Sequence, residues 1–291
     1  MKKIIYMTVA ALMTLSSCDM DLEPQGAIPD TEALNTVKDY ENFTNGLNAM
    51  MRNITTGDYV VLSDIQLDDF NAVIGNGNRR MDFYNGQVLP STGEIGSIYS
   101  GYYSMIAQTN YFLGHAVEKL KDTSMTPENA ALMKSYTGQA YFFRAYCYSC
   151  LADKFCQSYK NCAERDKVGT GLSLQLTYSP TADNTIYPGR SSLVDTYKQI
   201  VSDLTNAINL LVEWENADND LPKLYDTYVT SFAAKALIAR VYLNMGDDDK
   251  AASTAKEIID SDLYPLATNK KAFHEYLMFP YKIKMKLLLM R

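Results

Sequence analysis

Residues that support catalysis or nucleic-acid binding are scarce in this sequence. It has two histidines, His115 and His274, and neither lies in a metalloprotease motif. It contains neither a nucleophile elbow nor a Gly-Lys-Ser/Thr phosphate loop. The 34 aspartates and glutamates outnumber the 27 lysines and arginines, giving a net charge of −7, whereas nucleic-acid binding needs clustered basic residues. We therefore expect a protein that is not an enzyme, uses no cofactor or metal, and binds no nucleic acid.

Cysteine is also scarce, with five in 291 residues. Four of them, Cys147, Cys150, Cys156 and Cys162, form a Cys-x2-Cys-x5-Cys-x5-Cys pattern. A zinc site is disfavoured because the first two lie in a helical pattern with no turn glycine and no nearby histidine. A disulfide among some of the four and free buried thiols both remain open.

The apolar run from Ile4 to Leu15 is short of the about 20 residues that a membrane-spanning helix needs. With its basic start and the small residues after it, the run predicts a signal peptide over residues 1–17. Leu15-Ser16-Ser17-Cys18 resembles the bacterial lipobox, which implies cleavage before Cys18 and acyl chains such as palmitate on that cysteine. More than one chain anchors a protein durably, so we expect residues 18–30 to tether the protein to a membrane surface.

Beyond this tether, apolar residues recur every three or four positions, which is typical of amphipathic helices. The pattern predicts helices over Thr31–Arg52, from Ile98 onward, from Thr126-Pro127, from Ser192, and on both sides of Gly246. Residues 53–97 and 157–191 lose the period and are rich in glycine and proline, so they predict long loops. Residues 31–269 therefore read as one helical domain of the all-α class.

The last helix pair has the spacing of a tetratricopeptide repeat. Tyr242-x3-Gly246-x4-Ala251 matches that repeat, and small Ala239 stands where its first helix packs closely. Ala255 replaces the aromatic residue of the second helix, so the match is partial. The spacing predicts stacked helical hairpins, each burying its apolar face on the next.

Four blocks of sequence follow one another over residues 18–269, and their order together is more specific than any one block alone. They include the lipobox with "LEPQGAIPDTEALNT", "YSMIAQTNYFL", "GQAYFFRAYCYSCLADKF" and "FAAKALIARVYLNMGDDDKAASTAKEIIDSDLYPL". The set resembles the SusD/RagB family of outer-membrane nutrient-binding lipoproteins. The resemblance implies a tetratricopeptide-like all-α fold and capture of glycan or peptide at the cell surface. It also implies a partner, a SusC-like TonB-dependent transporter that the protein covers as a lid.

The chain departs from the family in two ways. Tyr99 stands where the family often has tryptophan, and members usually run to about twice this length, with a C-terminal half resting on the repeats. Residues 270–291 diverge into the basic and apolar tail "YKIKMKLLLMR". We therefore expect an N-terminal fragment of a longer protein.

The segment 71–97 is the long loop best placed to carry a ligand site, because loops outside a repeat scaffold vary while the helices hold them. It brings together the candidate ligand-binding residues Arg79, Arg80, Phe83, Tyr84 and Asn85. Aromatic rings can stack on a sugar, and arginine and asparagine can donate hydrogen bonds to its hydroxyls. The competing interpretation is that the two aromatic residues pin the loop to the domain.

The sequence therefore favours a cell-surface lipoprotein that binds oligosaccharide and delivers it to a SusC-like transporter. Two alternatives remain at this stage. One is a tetratricopeptide-type lipoprotein whose groove binds another protein. The other is a truncated fragment without activity.

Overall fold

The computed structural model describes residues 33–67, 69–70, 75, 77, 79–217, 228–264, 267–271 and 273–274. The predicted signal peptide, the lipidation site Cys18, the tether and most of the C-terminal tail lie outside these residues. Within them, the regular structure is helical, apart from one isolated antiparallel bridge between Ser173 and Arg190. The predicted all-α fold is confirmed.

Eight α-helices and one short 3-10 helix are found in the described part of the chain. The α-helices are α1 Val37–Ile54, α2 Asp58–Gln66, α3 Met81–Tyr84, α4 Gly93–Lys119, α5 Pro127–Phe155, α6 Leu193–Glu215, α7 Ser231–Met245 and α8 Asp248–Asp260. The 3-10 helix, Asn184–Ile186, lies in the long connection between α5 and α6. That connection is otherwise irregular, as its glycines and prolines predict.

The prediction of a single loop over residues 53–97 is wrong. It contains α2 and α3, and α4 begins at Gly93 instead of Ile98. Helix α2 buries Leu62 and Ile65 but has only nine residues, which is too few turns to establish a helical period in the sequence. The first turn of α4 contains Gly93 and Gly96, and glycine favours a loop assignment.

Local end signals explain where several helices start and stop. The Thr126 hydroxyl accepts the Asn129 N–H at the start of α5, and the Ser192 hydroxyl accepts the Asp195 N–H at the start of α6. Helix α7 ends at Gly246, whose φ of +83° lies in the left-handed region that glycine adopts without strain. The first helix begins at Val37, later than the predicted Thr31, because Thr36 and Asp39 form a capping box there.

The helices from α4 to α8 pack sequentially, each against the next, as antiparallel hairpins do. Helix α5 is the centre of this stack and is buried along most of its length, including Phe143, Cys147 and Leu151. Helix α1 packs against both α4 and α5, and α2 packs against α4. The domain therefore has one continuous core, built around a central helix that is covered on several sides.

A buried ion pair joins α5 to α6 inside this core. Arg144 donates from Nε and Nη2 to the two Asp203 carboxylate oxygens at 2.8 and 2.7 Å, and the side chains are only 8% and 1% exposed. A third helix joins through Asn110 of α4, whose Oδ1 accepts from Arg144 Nη1 at 2.9 Å. Gln199 donates to the same carboxylate at 3.0 Å. One charged group thus connects three consecutive helices of the repeat stack.

Burial raises the pKa of the Asp203 carboxyl, while the hydrogen bonds from Arg144 and Gln199 oppose that rise. Burial lowers the pKa of Arg144, but its contacts with Asp203 more than compensate, so the net shift is upward. The bidentate geometry keeps the pair ionised, because a carboxylate that accepts several N–H groups is stabilised in its charged form.

Part of the connection between α5 and α6, residues 172–178, lies across the helices. We call this segment the strap. Side chains of the helices bond its carbonyls: Tyr103 Oη donates to Ser173 O at 2.9 Å, and Asn110 Nδ2 and Tyr148 Oη donate to Gln175 O at 2.8 and 2.7 Å. Just before the strap, Gly171 lies so close to α6 that a side chain would collide with the Ser192 carbonyl. The irregular segment is therefore fixed by groups that project from the repeat helices.

Four cysteines lie in the described part of the chain, and all are free thiols, with Cys147 and Cys162 buried. Burial raises the pKa of the Cys147, Cys150 and Cys156 thiols, which disfavours the reactive thiolate. Of the two alternatives left open by the sequence, the structure has free thiols.

The buried ion pair gives a stability prediction. Asp203→Asn leaves the Arg144 charge buried without a counter-charge, so we expect it to lower the free energy of unfolding by about 3–5 kcal/mol. Glu213→Gln is the matched control, because Glu213 lies on the same helix and pairs with Lys134 at the exposed surface. Breaking such a surface pair costs less than about 1 kcal/mol. Urea denaturation measures both, and equal losses in the two variants would contradict the central role of Asp203.

Candidate functional site

The predicted ligand residues lie on one tight turn, residues 79–86, which includes helix α3. The turn is held by Arg80, which forms ion pairs with Asp58 at the start of α2 and with Glu94 at the start of α4. Arg80 has a φ of +66°, a left-handed conformation that few residues other than glycine adopt. Such a conformation persists only where the surroundings enforce it, and here two carboxylates on separate helices do so.

Phe83 provides the second attachment of the turn. Its side chain is 3% exposed and belongs to the main core. Beside it, α2 packs on α4 through an edge-to-face contact between Tyr59 and Tyr102, with ring centroids 5.1 Å apart. The close approach of the two helices depends on Gly101, because a side chain there would overlap the Tyr59 ring. The turn therefore rests on a packed base.

The other three predicted residues point outward from this base. Arg79 and Asn85 are exposed, and the Tyr84 side chain is 40% exposed although its neighbour Phe83 is buried. The turn closes at Gly86, which has a φ of +67°. An exposed ring flanked by a guanidinium and an amide can stack on a flat apolar face and donate hydrogen bonds at its edges.

The structure thus brings all five predicted residues into one turn but divides their roles. Arg80 and Phe83 fix the turn, and Arg79, Tyr84 and Asn85 are available to a ligand. Sequence reasoning missed Asp58 and Glu94, the acidic partners of Arg80. Acidic residues at helix starts are a usable signal, since they favour the helix dipole, but α2 had to be recognised as a helix first.

The two histidines are not part of this turn. His115 is partly buried on α4, where its Nδ1 lies 3.0 Å from the Tyr111 carbonyl, and His274 is exposed near the end of the described residues. Among the described residues, no group of three or more histidine, cysteine or acidic side chains could hold a metal ion. The same part of the chain has no helix with the length and apolar character needed to cross a bilayer.

Comparison with known proteins now decides the family. The family model described as "Starch-binding associating with outer membrane" matches residues 20–243. The chain belongs to the SusD-like family. No curated protein matches this SusD-like chain in sequence.

Solved structures show the same fold at low sequence identity. A SusD superfamily protein from Bacteroides thetaiotaomicron gives a TM-score of 0.61 at 24% identity, covering 83% of this chain and 49% of that one. A SusD superfamily protein from Bacteroides vulgatus gives 0.62 at 20%, covering 84% and 52%. A laminarin-binding SusD-like protein gives 0.54 at 19%, covering 76% and 43%. The SusD-like chain described here spans about half the length of these proteins.

The divided roles of Phe83 and Tyr84 predict unequal effects of their substitution on stability. Phe83→Ala removes a buried ring and should lower the free energy of unfolding by about 3 kcal/mol. Tyr84→Ala removes an exposed ring and should change it by less than about 0.5 kcal/mol. Thermal and urea unfolding of both variants measure the difference. A Tyr84→Ala loss as large as that of Phe83→Ala would show that Tyr84 pins the turn as well.

Proposed function

We propose that this chain belongs to a cell-surface lipoprotein that binds an oligosaccharide through the turn 79–86. The observation that carries the proposal is the exposed ring of Tyr84 on a turn locked by Arg80 and Phe83. Membership of a family described as starch-binding supports a glycan ligand. One solved relative of the same fold is described as binding laminarin, which is consistent with that class of ligand.

The proposed binding mode follows from the geometry of the turn. Tyr84 stacks on the apolar face of a sugar ring, while Arg79 and Asn85 donate hydrogen bonds to hydroxyls at the edge of the ring. Because Arg80 and Phe83 already fix the backbone, little conformational entropy is lost when the ligand binds. The action is binding without bond cleavage, so the proposed protein is not an enzyme.

The proposal extends to the location and the partner of the protein. Cys18 carries the lipid anchor, so the domain lies at the outer membrane, in agreement with the family description. A SusC-like TonB-dependent transporter receives the bound oligosaccharide. The net charge of −7 disfavours nucleic acid as an alternative ligand.

Glycan binding at the turn is tested by Tyr84→Ala, measured by calorimetry with maltoheptaose and laminarihexaose. We expect the affinity to fall about fivefold or more, equivalent to about 1 kcal/mol for one lost ring contact. Tyr84→Phe should keep most of the affinity because the ring remains. Tyr187→Ala is the matched control, since Tyr187 is similarly exposed, at 44%, but lies far along the chain in the α5–α6 connection.

Unchanged affinity in both Tyr84→Ala and Arg79→Ala would exclude the turn as the binding site. A full-length protein that binds no glycan but retains a protein from the cell envelope would favour the protein-binding alternative. The Tyr84→Ala and Arg79→Ala variants should keep the wild-type melting temperature, which shows that any change in affinity comes from the turn.

The lipid anchor is tested by Cys18→Ala followed by separation of membrane and soluble fractions. The variant has no thiol to acylate at the lipobox, so we expect it to leave the mature, membrane-bound pool. Cys162→Ala is the control, because it removes a cysteine without affecting the lipobox. Full membrane retention of the Cys18→Ala protein would exclude this anchor.

A further inference from the structure

A second candidate site lies on the opposite half of α4 from the turn. A groove of about 430 Å³ opens between the C-terminal half of α4 and the middle of α5, where the strap leaves the helices. Tyr111 and His115 of α4, Tyr141 of α5, and Leu176 and Tyr178 of the strap line it. The volume lies within the range of about 300–1,000 Å³ that is usual for small-molecule sites.

The rings of the groove are arranged in a corner. Tyr111 and Tyr178 lie nearly perpendicular, at 78°, with their centroids 5.2 Å apart, and the His115 ring lies 4.8 Å from Tyr111. Tyr111 is anchored from behind by stacking on Phe43 of α1. Tyr178 is 45% exposed, so nearly half of its surface remains open to solvent. The exposed Tyr178 ring therefore stands beside a ring that Phe43 holds in place, and it offers an apolar surface to a ligand.

The floor of the groove is polar, and the positive charge there is neutralised by a negative one. Arg144 reaches the groove, yet Asp203 neutralises its charge, and its Nη1 donates to Asn110 and, at 3.4 Å, to the Leu176 carbonyl. The Tyr111 carbonyl can only accept, so His115 Nδ1 is the donor in its contact with that oxygen. Among the described lining residues, Arg144 is the only one with a permanent charge. Such a site favours a neutral ligand that has hydroxyl groups and flat apolar faces.

We propose that this groove, which we call the strap groove, is a second binding site for a neutral oligosaccharide. Pyranose rings combine apolar faces with hydroxyls at their edges, which matches the ring corner and the balanced floor. The class of ligand rests on the proposed glycan binding, but the site shares no residue with the turn 79–86. Tyr111 lies seventeen residues beyond Glu94, the α4 residue that holds the turn, a rise of about 26 Å along the helix, so a long glycan chain can contact the protein twice.

The test uses the purified full chain with ¹³C-labelled tyrosine rings. The NMR signals of Tyr178 and Tyr84 are assigned as those that vanish in Tyr178→Phe and Tyr84→Phe. We expect the Tyr178 signal to shift saturably with maltoheptaose or laminarihexaose, and to do so also in Tyr84→Ala. Tyr178→Ala should weaken binding at the groove at least about threefold. This loss is measured from the ligand-induced shifts of the Tyr111 and Tyr141 signals, which remain in that variant. Tyr187→Ala, equally exposed in the same connection, should leave it unchanged.

The possible outcomes separate the two proposals. A Tyr84 signal that shifts while Tyr178 stays unmoved overturns the strap groove and leaves the turn in place. A Tyr178 signal that shifts alone supports the groove and overturns the turn. Silence at both sites overturns both. Equal or stronger Tyr178 shifts with hexagalacturonate, an acidic oligosaccharide, overturn the assignment of a neutral ligand.

Discussion

The buried pair of Arg144 and Asp203 is the interaction on which the rest of the structure depends. It joins α5 to α6 and, through Asn110, to α4, so that one guanidinium sets the relative position of three helices. The bidentate contact constrains both the distance and the orientation of the two side chains, so it adds geometric specificity to the apolar packing around it. A buried charge is costly to leave unpaired, so wrong helix registers are penalised.

The same polar centre fixes the irregular parts of the molecule. Asn110 and Arg144, together with Tyr103 and Tyr148, hold the strap by its carbonyls, and the strap in turn forms one wall of the groove. At the other end of α4, two carboxylates at helix starts hold Arg80 and the exposed turn. Both candidate sites are therefore short irregular segments attached to rigid helices, which is how repeat scaffolds usually carry binding residues.

The sequence predicts those features that local chemistry determines. Thr126, Ser192 and Gly246 mark helix ends because caps and left-handed glycines act within a few residues. Helices α2 and α3 escape prediction because they are too short to show a period. The pairing of Arg144 with Asp203 spans 59 residues and leaves no periodic signal. Likewise, sequence identifies the aromatic pair at 83–84 but cannot tell which ring is buried, since tertiary packing decides that.

The ion pairs of Arg80 hold the exposed turn 79–86, so the conformation of this turn should depend on ionic strength. The side chains of Arg80, Asp58 and Glu94 are each about one-third exposed, so dissolved salt partly screens their attraction. A neutral sugar has no charge for salt to screen. If the affinity for a neutral sugar depends on salt concentration, the dependence therefore reports how tightly the turn is held before the sugar binds. It then reflects preorganisation of the turn and not direct electrostatic attraction of the ligand.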